Sequence, residues 1–153
     1  MGYFDYPEDS QEPETGQVTV LEGLSDEEWE ALVAHAEHRL FAAGDILIQP
    51  GERDDSVYLL VEGSVELVVP SRLRSNKIIA VINAGSAFGE IGFFDRAPRI
   101  VTVRARADGS VLRITRESFE ELAAWQPALA RQLLFDLGKT LAVRLRQTAG
   151  ITG

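Results

Sequence analysis

Apolar residues recur along this chain with two different periods, and the change of period divides it into helix, sheet and helix. Near the start, Trp29, Leu32, Val33 and Ala36 fall three or four apart, which predicts a helix with one apolar face. Ser25 precedes that stretch as an N-cap and Glu28 stands three residues on, the spacing of a capping box. From Leu40 to Ile114 the pattern shortens to runs rich in Val, Ile and Leu, broken by Gly, Pro, Asn or Asp about every ten residues. Alternation is clearest in Ser64 to Val69 and in Val101 to Arg106. In the latter, Val101, Val103 and Ala105 face one way, while Thr102, Arg104 and Arg106 face the other and read as a solvated surface. Helical spacing then returns. Glu117 to Ala124 reads as one helix, Pro127 marks a break, and Ala128 to Gln147 reads as a longer helix with Leu134, Leu137, Leu141 and Leu145 on or near one stripe. Gly138 would weaken that helix by about 1 kcal/mol relative to alanine if it stood alone; equally, it permits close packing. The pattern predicts a mainly β fold with flanking helices: a β-roll or jelly roll, preceded by one helix and followed by two.

Length and composition narrow this further. A chain of 153 residues, 45% hydrophobic, suits one core. No stretch approaches the ~20 apolar residues of a membrane span, and the N-terminus lacks an apolar signal core, so the expectation is a cytoplasmic protein without a membrane role. The absence of cysteine excludes disulfides, thiolate metal sites and a cysteine nucleophile. Charge is unevenly spread: residues 1–30 hold ten acids and no Lys or Arg, whereas residues 31–153 hold fourteen acids and fifteen bases. Residues 1–16 therefore read as an acidic, disordered leader, 17–148 as a single domain and 149–153 as a tail. The basic stretch from Pro70 to Lys77 reads as a tolerant surface turn between strands. An acidic balance without a basic recognition helix speaks against nucleic-acid binding. His35 and His38 fall at the end of the first predicted helix with no further histidine at ligand spacing, which speaks against a metal centre or a catalytic pair.

The segment Phe88 to Ala105, FGEIGFFDRAPRIVTVRA, carries the chemistry. Gly89 and Gly92 allow close approach of backbone to a ligand, so consecutive N–H groups around them can converge on an anion. Arg99 supplies a permanent planar charge able to make paired hydrogen bonds to phosphate oxygens. Glu90 only accepts hydrogen bonds when ionised, and a ribose hydroxyl is one candidate donor. A plain ion pair between Glu90 and Arg99 beneath a loop is the alternative.

This segment resembles the phosphate-binding cassette of the cyclic nucleotide-binding domain family. The resemblance extends from about Leu21 to Gln147, through FAAGDILIQPGERDDSVYLLVEGSVEL upstream, with Gly44, Gly51 and Gly63 at turn positions, and Val111 to Phe119 and its following helix downstream. It implies the double-stranded β-helix form of the jelly roll, with C-terminal hinge and lid helices. It further implies that Glu90 binds the ribose 2′-hydroxyl, that Arg99 binds the cyclic phosphate, and that the N–H of Gly89 and those after Arg99 complete the cradle. Where the family commonly has a small or hydroxyl residue, then alanine, this chain has Ile100 and Val101. Loss of a hydroxyl at Ile100 favours cAMP over cGMP by comparison with the kinase branch, and the added bulk predicts crowding of the purine. Alignment with the cAMP-responsive bacterial transcription factors places Leu67, Ile79 and Ile82 along the pocket, and Arg144 where a C-terminal helix approaches the ligand. The implied function is a non-enzymatic regulatory module that binds a cyclic mononucleotide and signals through its C-terminal helices to a separate protein partner, or to a second copy through the last helix. The alternative is a degenerate cyclic nucleotide-binding fold that serves as an interaction or oligomerisation module without nucleotide.

Overall fold

The structure, a computed structural model, describes residues 17–69 and 76–150. The acidic leader, most of the basic turn and the end of the tail lie outside the described residues.

The capping box forms as the sequence suggests. Ser25 Oγ accepts from the Glu28 N–H at 3.1 Å, Glu28 Oε1 accepts from the Ser25 N–H at 3.0 Å, and α1 (Asp26–Ala34) follows. The apolar face differs from the predicted one. Ala31 and Leu32 are buried, while Trp29 and Val33 remain 46% and 41% exposed, because α1 meets the core along a narrow line through Leu32 and ends before Ala36. His35 is the C-cap and His38 lies in the next strand, so the two do not share a helix face.

Among the described residues eight strands follow: β1 (Glu37–Phe41), β2 (Ile46–Ile48), β3 (Val57–Glu62), β4 (Ser64–Val69), β5 (Lys77–Asn83), β6 (Ala87–Phe88), β7 (Thr102–Ala105) and β8 (Gly109–Ile114). They form two antiparallel four-stranded sheets, ordered β1-β8-β3-β6 and β2-β7-β4-β5. Strand β3 shows why the pattern reads as it does. Successive side chains point to opposite faces of a strand, so Tyr58 and Leu60 enter the interior of the roll while Val57 and Leu59 face the helices. Both faces are covered, and the strand accordingly begins as an unbroken apolar run. Tyr58 stacks on Phe88 of β6, its neighbour across the pair, with ring centroids 5.0 Å apart.

Between β6 and β7 lies the short helix α2 (Glu90–Asp95), and after β8 come α3 (Arg116–Trp125) and α4 (Pro127–Thr148). Thr115 caps α3 through the Ser118 N–H, and Pro127 opens α4, where its missing N–H costs nothing. The leucine stripe of α4 divides in two. Leu137 is fully buried with Leu129 and Leu133 against the outer face of the β3 sheet, whereas Leu134 and Leu145 are 39% and 66% exposed and Leu141 is half-buried. At helical pitch Leu137 stands roughly 60° round from Leu134, toward Leu133. Residues 17–24 hold α4 from the other side: the Leu21 N–H donates to Asp136 Oδ2 at 2.7 Å, Gln132 Nε2 donates to the Glu22 carbonyl at 3.1 Å, and the Val20 N–H donates to Gly85 in the turn before β6. No helix among the described residues is long and apolar enough to cross a membrane.

Candidate functional site

The cassette segment is held at both ends by backbone. Gly89 takes a left-handed conformation (φ 83°) as N-cap of α2, a region that L side chains avoid, and so turns the chain from β6 into the helix. Arg96 ends α2, also left-handed at φ 58°, with its N–H on the Gly92 carbonyl at 2.9 Å. Farther on, Arg99 is locked by reciprocal bonds with the turn before β3: its N–H donates to Glu52 O and its carbonyl accepts from the Gly51 N–H, both at 2.8 Å.

Glu90 and Arg99 do not pair with each other. Both are buried, at 4% and 7% exposure, and each has its own partners. Arg99 Nη1 donates to the Gly89 carbonyl at 2.8 Å and Nη2 to the Ser56 carbonyl at 2.5 Å, with Asp54 Oδ2 3.6 Å from Nη2. Glu90 Oε1 accepts from Arg144 Nη1 at 2.9 Å, and Arg144 Nη2 donates to the Ala87 carbonyl at 2.6 Å. The plain ion pair is thus replaced by a cassette carboxylate joined to α4 and a cassette guanidinium joined to backbone oxygens. The Nε–H groups of Arg99, Arg144 and Arg113 are buried without a partner among the described residues.

The other sequence-derived positions take different environments. Ile82 is a core residue, 1% exposed, inside the roll, and Leu67 and Val101 pack half-buried against the same core. Ile79 is the extra residue of a β-bulge, since Leu67 pairs with Ala80 and Val68 with Ile78, and it is 40% exposed. Ile100 is 67% exposed and does not fill the interior. Arg104 and Arg106 do more than face solvent: they cover the buried Glu66, with Arg104 Nε 2.7 Å and Arg106 Nε 3.8 Å from its carboxylate oxygens.

Spacing did not reveal the group behind Arg99. Asp54 accepts from the Tyr58 hydroxyl at 2.7 Å, the Ser56 N–H at 3.0 Å and Arg113 Nη2 at 3.1 Å. Burial opposes its ionisation, but hydrogen bonds from Ser56 and Tyr58 and the charge of Arg113 outweigh that penalty and hold the carboxyl down at about 2. Burial, reinforced by the hydrogen bond to Asp54, raises the Tyr58 phenol, so this hydroxyl stays a donor. On α3, Arg116 Nη1 donates to the Phe93 carbonyl at 2.9 Å and its guanidinium lies over the Phe93 ring, which meets Phe119 edge-on. The cassette helix is therefore fastened to α3 at one end and to α4 at the other.

The family model for the cyclic nucleotide-binding domain matches residues 38–124, from β1 into α3 and across the whole cassette. The chain belongs to this family. Among relatives of the cyclic nucleotide-binding domain, it is 30% identical over 126 residues to the cAMP-activated global transcriptional regulator Vfr of Pseudomonas aeruginosa, covering 80% of this chain and 57% of that protein. It resembles the catabolite activator protein of Thermus thermophilus with a TM-score of 0.70 and 26% identity, over 84% of this chain and 58% of that one. A cyclic nucleotide-binding domain from Methylobacillus flagellatus shares the fold at a TM-score of 0.74 and 23% identity, over 85% and 73% of the two chains. The chain spans little more than half the length of the two regulators.

The low acidity range of Asp54 yields a pH prediction. A carboxyl whose folded value is depressed from 3.8 to about 2 contributes stability that is complete above the unfolded value and lost as pH falls through the folded one. Asp54→Asn should be less stable than the native chain above about pH 4, and the gap should close toward about pH 2. Denaturant midpoints of both proteins across that range check this; a constant gap would contradict it.

Proposed function

We propose that this domain is a regulatory module that binds a cyclic mononucleotide, with cAMP preferred to cGMP, and passes the event to its C-terminal helices. The observation that carries the reading is Arg99, a guanidinium buried in the family's cassette with its Nε–H lacking a partner. Buried donors are rarely left unsatisfied, and an anionic oxygen supplies both an acceptor and a countercharge. Gly89 and the backbone after Arg99 complete the cradle. The exposure of Ile100 supports binding over the degenerate reading, because its bulk lies outside the packed interior. Choice of cAMP follows from the missing hydroxyl at this position and agrees with the description of the Pseudomonas relative as cAMP-activated. Leu67, Ile82 and Val101 would face the nucleoside from the roll, and Ile79 from its bulged edge.

Signalling follows from the double use of Glu90. Its carboxylate anchors α4 through Arg144, and the same carboxylate is the acceptor for the ribose 2′-hydroxyl. A ligand that competes with Arg144 favours conformations in which α4 is displaced, by as much as its affinities for the two states differ. The module is regulatory and not an enzyme, and acts in the cytoplasm on a separate partner. A second copy of the chain is the partner for α4 itself: Leu134, Leu141 and Leu145 recur at seven- and four-residue spacing along one side, and a Cβ at Gly138 would meet nothing within 4 Å, leaving room for a facing helix.

Calorimetric titration should give saturable binding of cAMP, weaker binding of cGMP, and a loss of roughly 3–5 kcal/mol in Arg99→Ala when circular dichroism shows the fold intact. Equal binding by both proteins would remove the phosphate assignment. For α4, sedimentation should show a dimer that Leu145→Glu dissociates; a monomeric native chain, or a variant dimer of unchanged strength, would contradict the seam.

A further inference from the structure

The described helices gather on one side of the roll. Buried residues of α1, α2, α3 and α4 share a core with Val57, Leu59, Leu112 and Ile114 of the β1-β8-β3-β6 sheet. The outer face of the second sheet, β2-β7-β4-β5, has no described helix packed over it. Strand alternation puts Glu66, Val68, Arg104, Val81 and Ile46 on that face, since Glu66 pairs with both Arg104 and Val81, and Arg104 pairs with Ile46. Ile46 is 43% exposed, yet Val68 and Val81 are 1% and 3% exposed and belong to neither core. Two valines withdrawn from water on a sheet face without a helix call for a cover.

The chain enters the structure at the rim of this face. Gln17 Nε2 donates to the Asn83 and Ala84 carbonyls at 3.2 and 3.3 Å, and the Asn83 N–H donates to Gln17 Oε1 at 3.4 Å. Asn83 ends β5 opposite Ser64, whose carbonyl accepts from the Arg106 N–H at 2.8 Å. The anchor of Gln17 is thus two strand spacings, about 10 Å, from Arg106. An extended chain covers roughly 3.3–3.6 Å per residue, so residues 1–16 reach across all four strands. Their composition also fits. They carry Asp5, Glu8, Asp9, Glu12 and Glu14, no base, and the rings of Tyr3, Phe4 and Tyr6. The face presents the guanidiniums of Arg104 and Arg106 with the Glu66 carboxylate between them, beside Ile46 and the two valines.

We propose that residues 1–16 dock back onto the outer face of the β2-β7-β4-β5 sheet of their own chain, their carboxylates pairing with Arg104 and Arg106 and their aromatic rings covering Ile46, Val68 and Val81. Two arginines against one glutamate leave a unit of positive charge, and a second carboxylate takes it up through charge-assisted hydrogen bonds. Exposed ion pairs are individually weak. Tethering at Gln17 makes the contact intramolecular, so pairs too weak to hold a separate peptide suffice here. The segment thereby occupies a surface that would otherwise admit another acidic chain, and it does so whether or not the cassette holds a nucleotide.

The chain has no cysteine, so Ser10→Cys in the full chain takes a single nitroxide, whose effect on backbone amide signals locates the segment. The amides of Ile46, Glu66, Val68 and Val81 should lose most of their intensity relative to the same sample with the nitroxide reduced, while those of α3 keep theirs. Replacing Asp5, Glu8, Asp9, Glu12 and Glu14 by the corresponding amides should return that intensity, because the guanidiniums lose their counterions. In a mixture of nitroxide-bearing chain without isotope and isotope-labelled chain without nitroxide, the same four signals should stay sharp. Signals undiminished everywhere would overturn the docking, and so would a loss centred on other elements. A loss that appears equally in the mixture would give the cover to a second copy, and a loss that survives the five amides would remove the charge pairing; either result contradicts the proposal.

Discussion

A charged guanidinium almost wholly withdrawn from water is the constraint around which this domain is arranged. The Arg99 side chain is 5% exposed, and an isolated charge in that position would cost several kcal/mol. The surroundings offset this with backbone carbonyls from two separate elements and a carboxylate kept ionised. Gly89 contributes both an oxygen and a left-handed turn, Ser56 contributes the oxygen that opens β3, and Asp54 is itself fixed by Tyr58 and Arg113. The Arg99 Nε–H retains donor capacity that no group among the described residues takes up.

The same few partners tie the cassette to the helical layer. Two elements of the helical layer reach the cassette helix through arginines and buried rings: α4 through Arg144 on Glu90, and α3 through Arg116 on the Phe93 carbonyl and Phe119 against the Phe93 ring. Glu90 anchors α4 through Arg144, so on the proposed reading, in which the same carboxylate accepts from the ribose, ligand and helix act on one group. The segment 17–24 restrains α4 independently, through Asp136 and Gln132, so displacement of the helix must work against contacts remote from the pocket.

Local signals in the chain were legible, and long-range ones were not. The capping box at Ser25 and Glu28, the run of β3 and the proline before α4 each depend on neighbours within a few residues, and each formed as read. The cassette segment stands out in the sequence, yet the partner of Glu90 lies fifty-four positions away on α4, beyond what spacing reports; only the family resemblance points to Arg144. Asp54 sits beside Asp55 in a polar turn and looks like any solvated acid until β8 brings Arg113 across. Misreadings also have physical causes. The exposure of Trp29 and Val33 follows from how narrowly α1 meets the core. Leu137 and Leu134 separate because one α4 surface covers the sheet while another stays exposed.

The central claim is that the buried Nε–H of Arg99 is the donor a cyclic phosphate takes up. Correlation spectra of isotope-labelled arginine side chains, recorded during addition of cAMP, address that atom directly, with Arg99→Lys identifying its signal. Binding should move the Arg99 Nε–H resonance strongly downfield and protect it from exchange with water. Saturable binding that leaves this resonance where it was would contradict the claim.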